Sequence, residues 1–255
     1  MAERVGAETL GRLDRKGGEQ IAWRRRAGLG PTVVWLGGFR SDMGGTKAEA
    51  LDRAAERQGW DYLRFDYFAH GASSGDWAEA TIGRWREDAL AVIDQLTDGP
   101  LVLVGSSMGG WIACLCALAR PERVKSMVLI APAPDFTEAL MKPKLSAQAR
   151  EAIERHGEWI ETAGYEGPFA ITRKFLDDGR DWQILGGPVE IDIPVRILQG
   201  QCDPDVPWAH ALKLADRLTS KDVVFTLVKD GDHRLSTPGN LVLLTDAVGG
   251  LVLNV

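Results

Sequence analysis

The chain of 255 residues is 45% hydrophobic and 26% charged, with a formal net charge of −6 at neutral pH. These values describe one large globular domain with a substantial core, and they exclude a disordered chain and a surface built for nucleic acid or anionic lipid. The three cysteines carry no disulfide framework, no metal-ligand spacing is present, and neither a cofactor nor a metal is expected. The first 26 residues mix Glu, Asp and Arg without an apolar signal core, and no run of about 18 apolar residues follows. A cytoplasmic protein without a membrane span is therefore expected, acting on a small molecule or on a protein substrate.

Residues near 5–12 and 19–26 read as an antiparallel entry pair joined by Lys16, Gly17 and Gly18, with Arg24, Arg25 and Arg26 on a solvated face. From residue 31 onward, short β-branched runs alternate with segments of helical period, the signature of right-handed βαβ units and a mostly parallel sheet. Strands are expected at 32–36, 62–65, 101–104 and 126–130, buried on both faces, with helices at 46–58, 81–96 and 111–119. The rhythm stops after 131–134, and about 55 residues intervene before the next buried strand at 195–198. Residues 135–190 are expected to form a helical cap, with Trp159, Tyr165, Phe169, Phe175 and Trp182 either facing a pocket or holding the cap to the sheet. A helix at 209–218, a strand at 223–228 and a closing helix at 238–251 complete a single domain over 1–255. The cysteines Cys114 and Cys116 fall inside a buried helix, and packing is also the expected role of Cys202.

Between the strand at 101–104 and the helix at 111–119 stands Gly105-Ser106-Ser107-Met108-Gly109, a G-x-S-x-G run. It resembles the nucleophile elbow of the α/β-hydrolases, in which serine sits on a sharp strand-to-helix turn and side chains two residues to either side would collide with backbone. Gly105 and Gly109 remove those collisions around Ser107, whereas Ser106 is flanked at the same spacing by the larger Val104 and Met108. Ser107 is thus the expected nucleophile.

In that fold the acid and the histidine follow the serine in the chain. Among four histidines, His233 alone follows the final strand, while His70 precedes Ser107, His156 lies in the cap and His210 at a helix start. The strand at 195–198 leads into Gly200-Gln201-Cys202-Asp203-Pro204-Asp205-Val206-Pro207. Asp203, three residues before Val206-Pro207, is the expected acid, with Asp205 as the reserve candidate or a helix N-terminal anion. Asp232 is too close to His233 along the backbone to orient its ring. His233 would take the serine proton, Asp203 would fix the ring tautomer, and an acyl group would pass through Ser107 to water. The backbone N–H groups of Met108 and Phe39 are the expected oxyanion donors.

Gly37-Gly38-Phe39, Ser41-Asp42-Met43, Gly45-Thr46-Lys47-Ala48, Arg64-Phe65-Asp66-Tyr67, Gly105 to Trp111, Arg120-Pro121-Glu122, Asp203 with Val206-Pro207-Trp208, and Asp232-His233-Arg234 together resemble a group of serine α/β-hydrolases. That group comprises the mitochondrial palmitoyl-protein thioesterases that also cleave acyl glucuronides, with their bacterial relatives. The resemblance implies a mostly parallel eight-stranded sheet flanked by helices, a helical lid after the sixth strand, and an esterase or thioesterase acting on acyl chains without a cofactor. Its triad falls on Ser107, Asp203 and His233, and its oxyanion turn on Phe39 and Met108. A serine-based C–C hydrolase, a perhydrolase, or an inert ligand-binding homologue is compatible with the same residues.

Overall fold

The computed structural model describes residues 6–162 and 167–255. Two strands, β1 (Thr9–Asp14) and β2 (Gln20–Arg26), form the expected antiparallel entry pair around Gly17 and Gly18, both at positive φ. The first residue of the expected strand, Val5, lies outside the described residues. There follow β3 (Leu29–Leu36), α1 (Thr46–Gln58), β4 (Trp60–Phe65), α2 (Ile82–Leu96), β5 (Leu101–Ser106), α3 (Met108–Ala119) and β6 (Val124–Ile130). Thr81 lies one residue before α2 as its cap, accepting from the Arg84 amide, and α3 starts immediately after Ser107, three residues ahead of the expected boundary.

The segment after β6 is not purely helical. A π-helical turn at Thr137–Met141 leads to α4 (Ala147–His156), an antiparallel pair β7 (Glu158–Glu161) and β8 (Phe169–Thr172), and α5 (Arg173–Asp181). Asp135 fastens the end of this segment to its beginning by accepting the Ile184 and Leu185 amides at 2.8 and 2.9 Å. The chain then enters β9 (Val195–Gly200), α6 (Trp208–Arg217), β10 (Val223–Val228) and α7 (Pro238–Val252).

The main sheet has eight strands in the order β1-β2-β4-β3-β5-β6-β9-β10, and it is parallel from β4 through β10. Successive residues of the central strands supply opposite cores, as the two-residue period of a strand requires. Val33, Trp35, Val102 and Val104 meet Leu51 of α1 and Leu244 and Val248 of α7 on one face. Val34, Leu36, Leu101 and Leu103 meet Trp85 of α2, Trp111 of α3 and Leu214 of α6 on the other. At about 25 cal/mol per Å² of apolar surface, this two-sided burial is what makes the sheet a rigid platform for the loops at its carboxyl edge.

The basic triplet departs from a solvated face. Arg26 is 9% exposed and forks onto Asp52 of α1 at 2.9 Å through both contacts, while Arg25 forks onto Asp61 of β4. Because β2 lies inside the sheet between β1 and β4, its long cations must find carboxylates on neighbouring elements instead of water. Cys114 and Cys116 are buried in α3 as packing residues, whereas Cys202 lies exposed on the loop after β9.

Candidate active site

β5 delivers its chain to the carboxyl edge and turns abruptly into α3 at Ser107, whose φ of 55° and ψ of −119° lie outside the ordinary regions for a side-chain-bearing residue. Strain of this kind persists only where the surroundings over-determine it. Here the Ser107 amide donates to Ile130 O at 2.8 Å, and its carbonyl accepts from Gly110 and Ala133 at 2.9 and 3.1 Å. The flanking glycines are sterically compulsory. A Cβ on Gly105 would stand 2.3 Å from Gly109 O, and one on Gly109 would stand 2.0 Å from Leu36 O of β3.

From the loop after β10, His233 places Nε2 3.1 Å from Ser107 Oγ and Nδ1 2.8 Å from Asp203 Oδ2. Asp203, on the loop after β9, is 8% exposed, and its Oδ1 accepts the Asp205 and Val206 amides at 2.9 and 2.8 Å. Burial opposes its ionisation. The His233 contact and the two amides outweigh that cost and hold the carboxyl below its ordinary range, so it is a carboxylate at neutral pH. With Asp203 ionised, Nδ1–H donates to it, and the bare Nε2 accepts from the Ser107 hydroxyl. Asp205 is exposed and meets Asp203 only through its amide; Asp232 accepts the Leu235 amide at 2.9 Å as a loop fastener. Asp203, Asp205 and His233 each bring one ligand atom within 4.8 Å of the others, a grouping invisible in their spacing along the chain. Asp203, though, already spends both oxygens on His233 and the loop amides.

The 37–39 turn after β3 lies against the elbow: a Cβ on Gly38 would stand 3.5 Å from Ser107 Cβ. Three buried side chains of β4 and its following loop hold this turn and its continuation. Asp66 accepts the Met43 amide at 2.6 Å, Arg64 donates to the Met43 carbonyl at 3.0 Å, and His70 Nε2 accepts the Arg40 amide at 3.1 Å. His70 Nδ1–H meets Phe68 O at 3.0 Å, and burial pushes the ring down to about 4, so it stays neutral with one nitrogen bare for Arg40. Arg40 needs that bond, since its φ is 58°. His70 is set aside by the chain-order rule, which addresses only the base. Its signal was the run Asp66 to Ser73, in which Gly71, at positive φ, would bring a Cβ 2.2 Å from Asp66.

Phe39 aims its ring into an aromatic cluster. Trp77, in a short helical turn before α2, and Trp85 of α2 approach it to 5.3 and 5.9 Å between centroids, and Phe136, Phe169 and Phe175 from the 135–190 segment each approach to 5.6 Å. Of the remaining aromatic candidates, Trp182 accepts the Trp111 indole N–H through its carbonyl and lies under Arg86. Trp159 packs half-buried against the core, and Tyr165 lies outside the described residues.

Residues 31–165 match the family described as the alpha/beta hydrolase fold. The mouse protein named mitochondrial palmitoyl-protein thioesterase ABHD10 is 37% identical over 96% of this chain and 82% of its own length, and the human one is 35% identical over 96% and 80%. The chain belongs to the α/β-hydrolase family. Among solved structures, this α/β-hydrolase superposes on a putative hydrolase from Agrobacterium vitis S4 with a TM-score of 0.91 and 42% identity, covering 98% of this chain and 100% of that one. Mouse alpha/beta hydrolase domain-containing protein 10 follows with 0.88 and 35%, over 96% and 99%. The expectation of a cytoplasmic protein is overturned by the mouse and human palmitoyl-protein thioesterases, which are named as mitochondrial. The acidic and basic mixture at residues 9–26 belongs to strands of the sheet, and addressing segments are read apart from the fold and removed. Among the described residues no helix is long and apolar enough to cross a membrane.

Proposed function

We propose that this α/β-hydrolase cleaves carboxylic esters or thioesters of acyl chains, with Ser107 as nucleophile, His233 as general base and acid, and Asp203 as the orienting carboxylate. The carrying observation is the continuous chain of hydrogen bonds from Ser107 Oγ through both nitrogens of His233 to Asp203, at 3.1 and 2.8 Å. Such a chain lets the imidazole accept the hydroxyl proton as oxygen attacks the carbonyl carbon. The proton then passes to the leaving alcohol or thiol, and water clears the acyl-enzyme by the same route. The oxyanion is met by the backbone N–H groups of Met108, at the first residue of α3, and Phe39. Such donors are each worth about 3 kcal/mol in the barrier. Residues 135–190 act as a cap over this edge. Similarity to the palmitoyl-protein thioesterases supports a small-molecule acyl ester or thioester, or an S-acylated protein, as the substrate.

The test is hydrolysis of p-nitrophenyl esters and matching acyl thioesters from about two to sixteen carbons, by the native protein and by Ser107→Ala. The expected outcome is turnover that falls by about 10⁴-fold or more in the variant, with an initial burst equal to the enzyme concentration wherever deacylation is the slow step. Activity that survives Ser107→Ala refutes the assignment.

A further inference from the structure

Lys47 is the second residue of α1, directly downstream of the 37–45 loop that carries the proposed oxyanion turn. The residue is half-buried. Its ammonium donates to the carbonyl of Arg234, the residue after His233, at 2.6 Å and across 187 positions of sequence. Lys47 lines a small cavity with Asn240 and the apolar side chains Ile130, Leu198, Val228, Leu235, Leu243 and Leu244. Two charged groups act on it, both from the histidine loop: Asp232, which favours its proton, and Arg234, which opposes it. Burial is the stronger influence and brings the amine down to about 8.

The loop it grips needs fastening. Leu235 is buried at a φ of 45°, a conformation costly for a branched side chain. Other bonds hold it as well: Asp232 accepts the Leu235 amide, Gly231 donates to Val228 O and accepts from Cys202 on the loop after β9, and His233 itself meets Asp203 and Ser107. Lys47 adds a bond from this loop to α1, the helix that follows the turn holding Phe39.

We propose that Lys47 is a positioning residue for His233: by clamping the Arg234 carbonyl it ties the histidine loop to the helix that follows the oxyanion turn, so that base and oxyanion donors are held as one unit around Ser107. The inference rests on the serine-hydrolase reading given above. Lys47 touches neither substrate nor reacting atoms, so its loss acts on the chemical step and leaves KM near the native value. A charge-assisted bond to a carbonyl is stronger than one from a neutral amine. Deprotonating Lys47 therefore loosens the loop, and the native enzyme loses kcat on the alkaline side with an apparent midpoint near the Lys47 value of about 8.

Three readouts on the intact protein test this: kcat and KM from pH 6 to 10, and hydrogen exchange of the amides at 230–236, for the native chain, Lys47→Met and Lys47→Arg. The expected result for Lys47→Met is a fall in kcat of about 10- to 100-fold, the usual consequence of misplacing a catalytic group by an ångström. KM should change little, the alkaline limb should vanish and the loop should exchange faster. Lys47→Arg, always charged, should recover most of kcat and carry the limb to higher pH. The proposal is overturned if Lys47→Met keeps the native kcat, profile and exchange, or if Lys47→Arg falls as far as Lys47→Met. Should Lys47→Met fail to fold, the native alkaline limb and its displacement in Lys47→Arg decide the matter. Failure of the underlying reading looks different. Absence of turnover, or activity surviving Ser107→Ala, removes the serine mechanism, and loop exchange then decides alone whether Lys47 holds the loop.

Discussion

His70 gives both ring nitrogens to main chain, donating to Phe68 O and accepting from Arg40 N, at 4% exposure. A proton on Nε2 would abolish the bond to Arg40 and bury a charge, which is why burial lowers the ring from 6.5 to about 4. The sign for stability follows. Between those values the unfolded chain binds more protons at this site than the folded one does, so acid favours unfolding, and the contribution is lost as pH falls. Moving from pH 7 to pH 5 should cost about 2 kcal/mol through this residue alone. Asp66, Asp88 and Asp135, buried and raised in pKa, act in the opposite direction, but they are common to the native protein and to His70→Gln. Urea unfolding of both proteins at the two pH values isolates the histidine. The native protein should lose about 2 kcal/mol more than the variant, and equal losses would show that the ring is not held neutral by the fold.

At the scale of elements, the strand–elbow–helix unit is set by close approaches of backbone to backbone. Gly109 on α3 faces the Leu36 carbonyl of β3 and the Gly37 carbonyl just after it, so a methyl group there has no flexible neighbour to displace. Gly109→Ala should therefore cost more than about 3 kcal/mol in urea or thermal unfolding. By contrast Gly250, in α7 with nothing within 4 Å of a built Cβ, should gain about 0.5–1 kcal/mol on mutation to alanine. A Gly109→Ala protein as stable as the native one would refute the steric account of the elbow. The same unit shows what was legible in the sequence. Two glycines around a serine, a buried run before it and a helix after it are local signals, and the alternation of strands and helices that carries them is periodic. Ser107, Asp203 and His233 were candidates from their order along the chain, with Asp203 preferred to Asp205 for its spacing to Val206-Pro207. The pair β7 and β8 was not legible, because Glu158–Glu161 and Phe169–Thr172 are four residues each, too short to establish a two-residue period among helical neighbours. Nor were the burial of Arg26, the bond from His70 to Arg40, or the reach of Lys47 to Arg234. Each depends on a partner 26, 30 or 187 positions away, and spacing along a chain carries no trace of such partners until the sheet order is known.

The molecule as a whole divides into a sheet with two cores and a segment, 135–190, three of whose rings meet the rest of the chain at Phe39. Trp77 and Trp85 reach Phe39 from the sheet side, and Phe136, Phe169 and Phe175 reach it from the segment. The Trp77 indole adds a bond to Ala170 O at 2.9 Å, and Asp178 accepts the Gly83 amide at 2.8 Å. Phe39 is only half-buried, so Phe39→Ala should cost about 3 kcal/mol, the lower end for removing a buried phenylalanine. Where that loss falls matters more than its size. On the sheet side, Trp85 stays fully buried among Tyr67, Ile82 and Trp111, so the sheet keeps most of its own packing. The three phenylalanines of the segment lose the ring that they share, and local opening follows the weakest packing. Limited proteolysis of Phe39→Ala under native conditions should therefore cut within 135–190 well before it cuts the strands, and the preference among acyl thioesters should broaden toward bulkier chains as the proposed cap loosens. Cuts distributed over the whole chain would instead make Phe39 an ordinary core residue, and an unchanged thioester profile would separate the segment from substrate choice altogether.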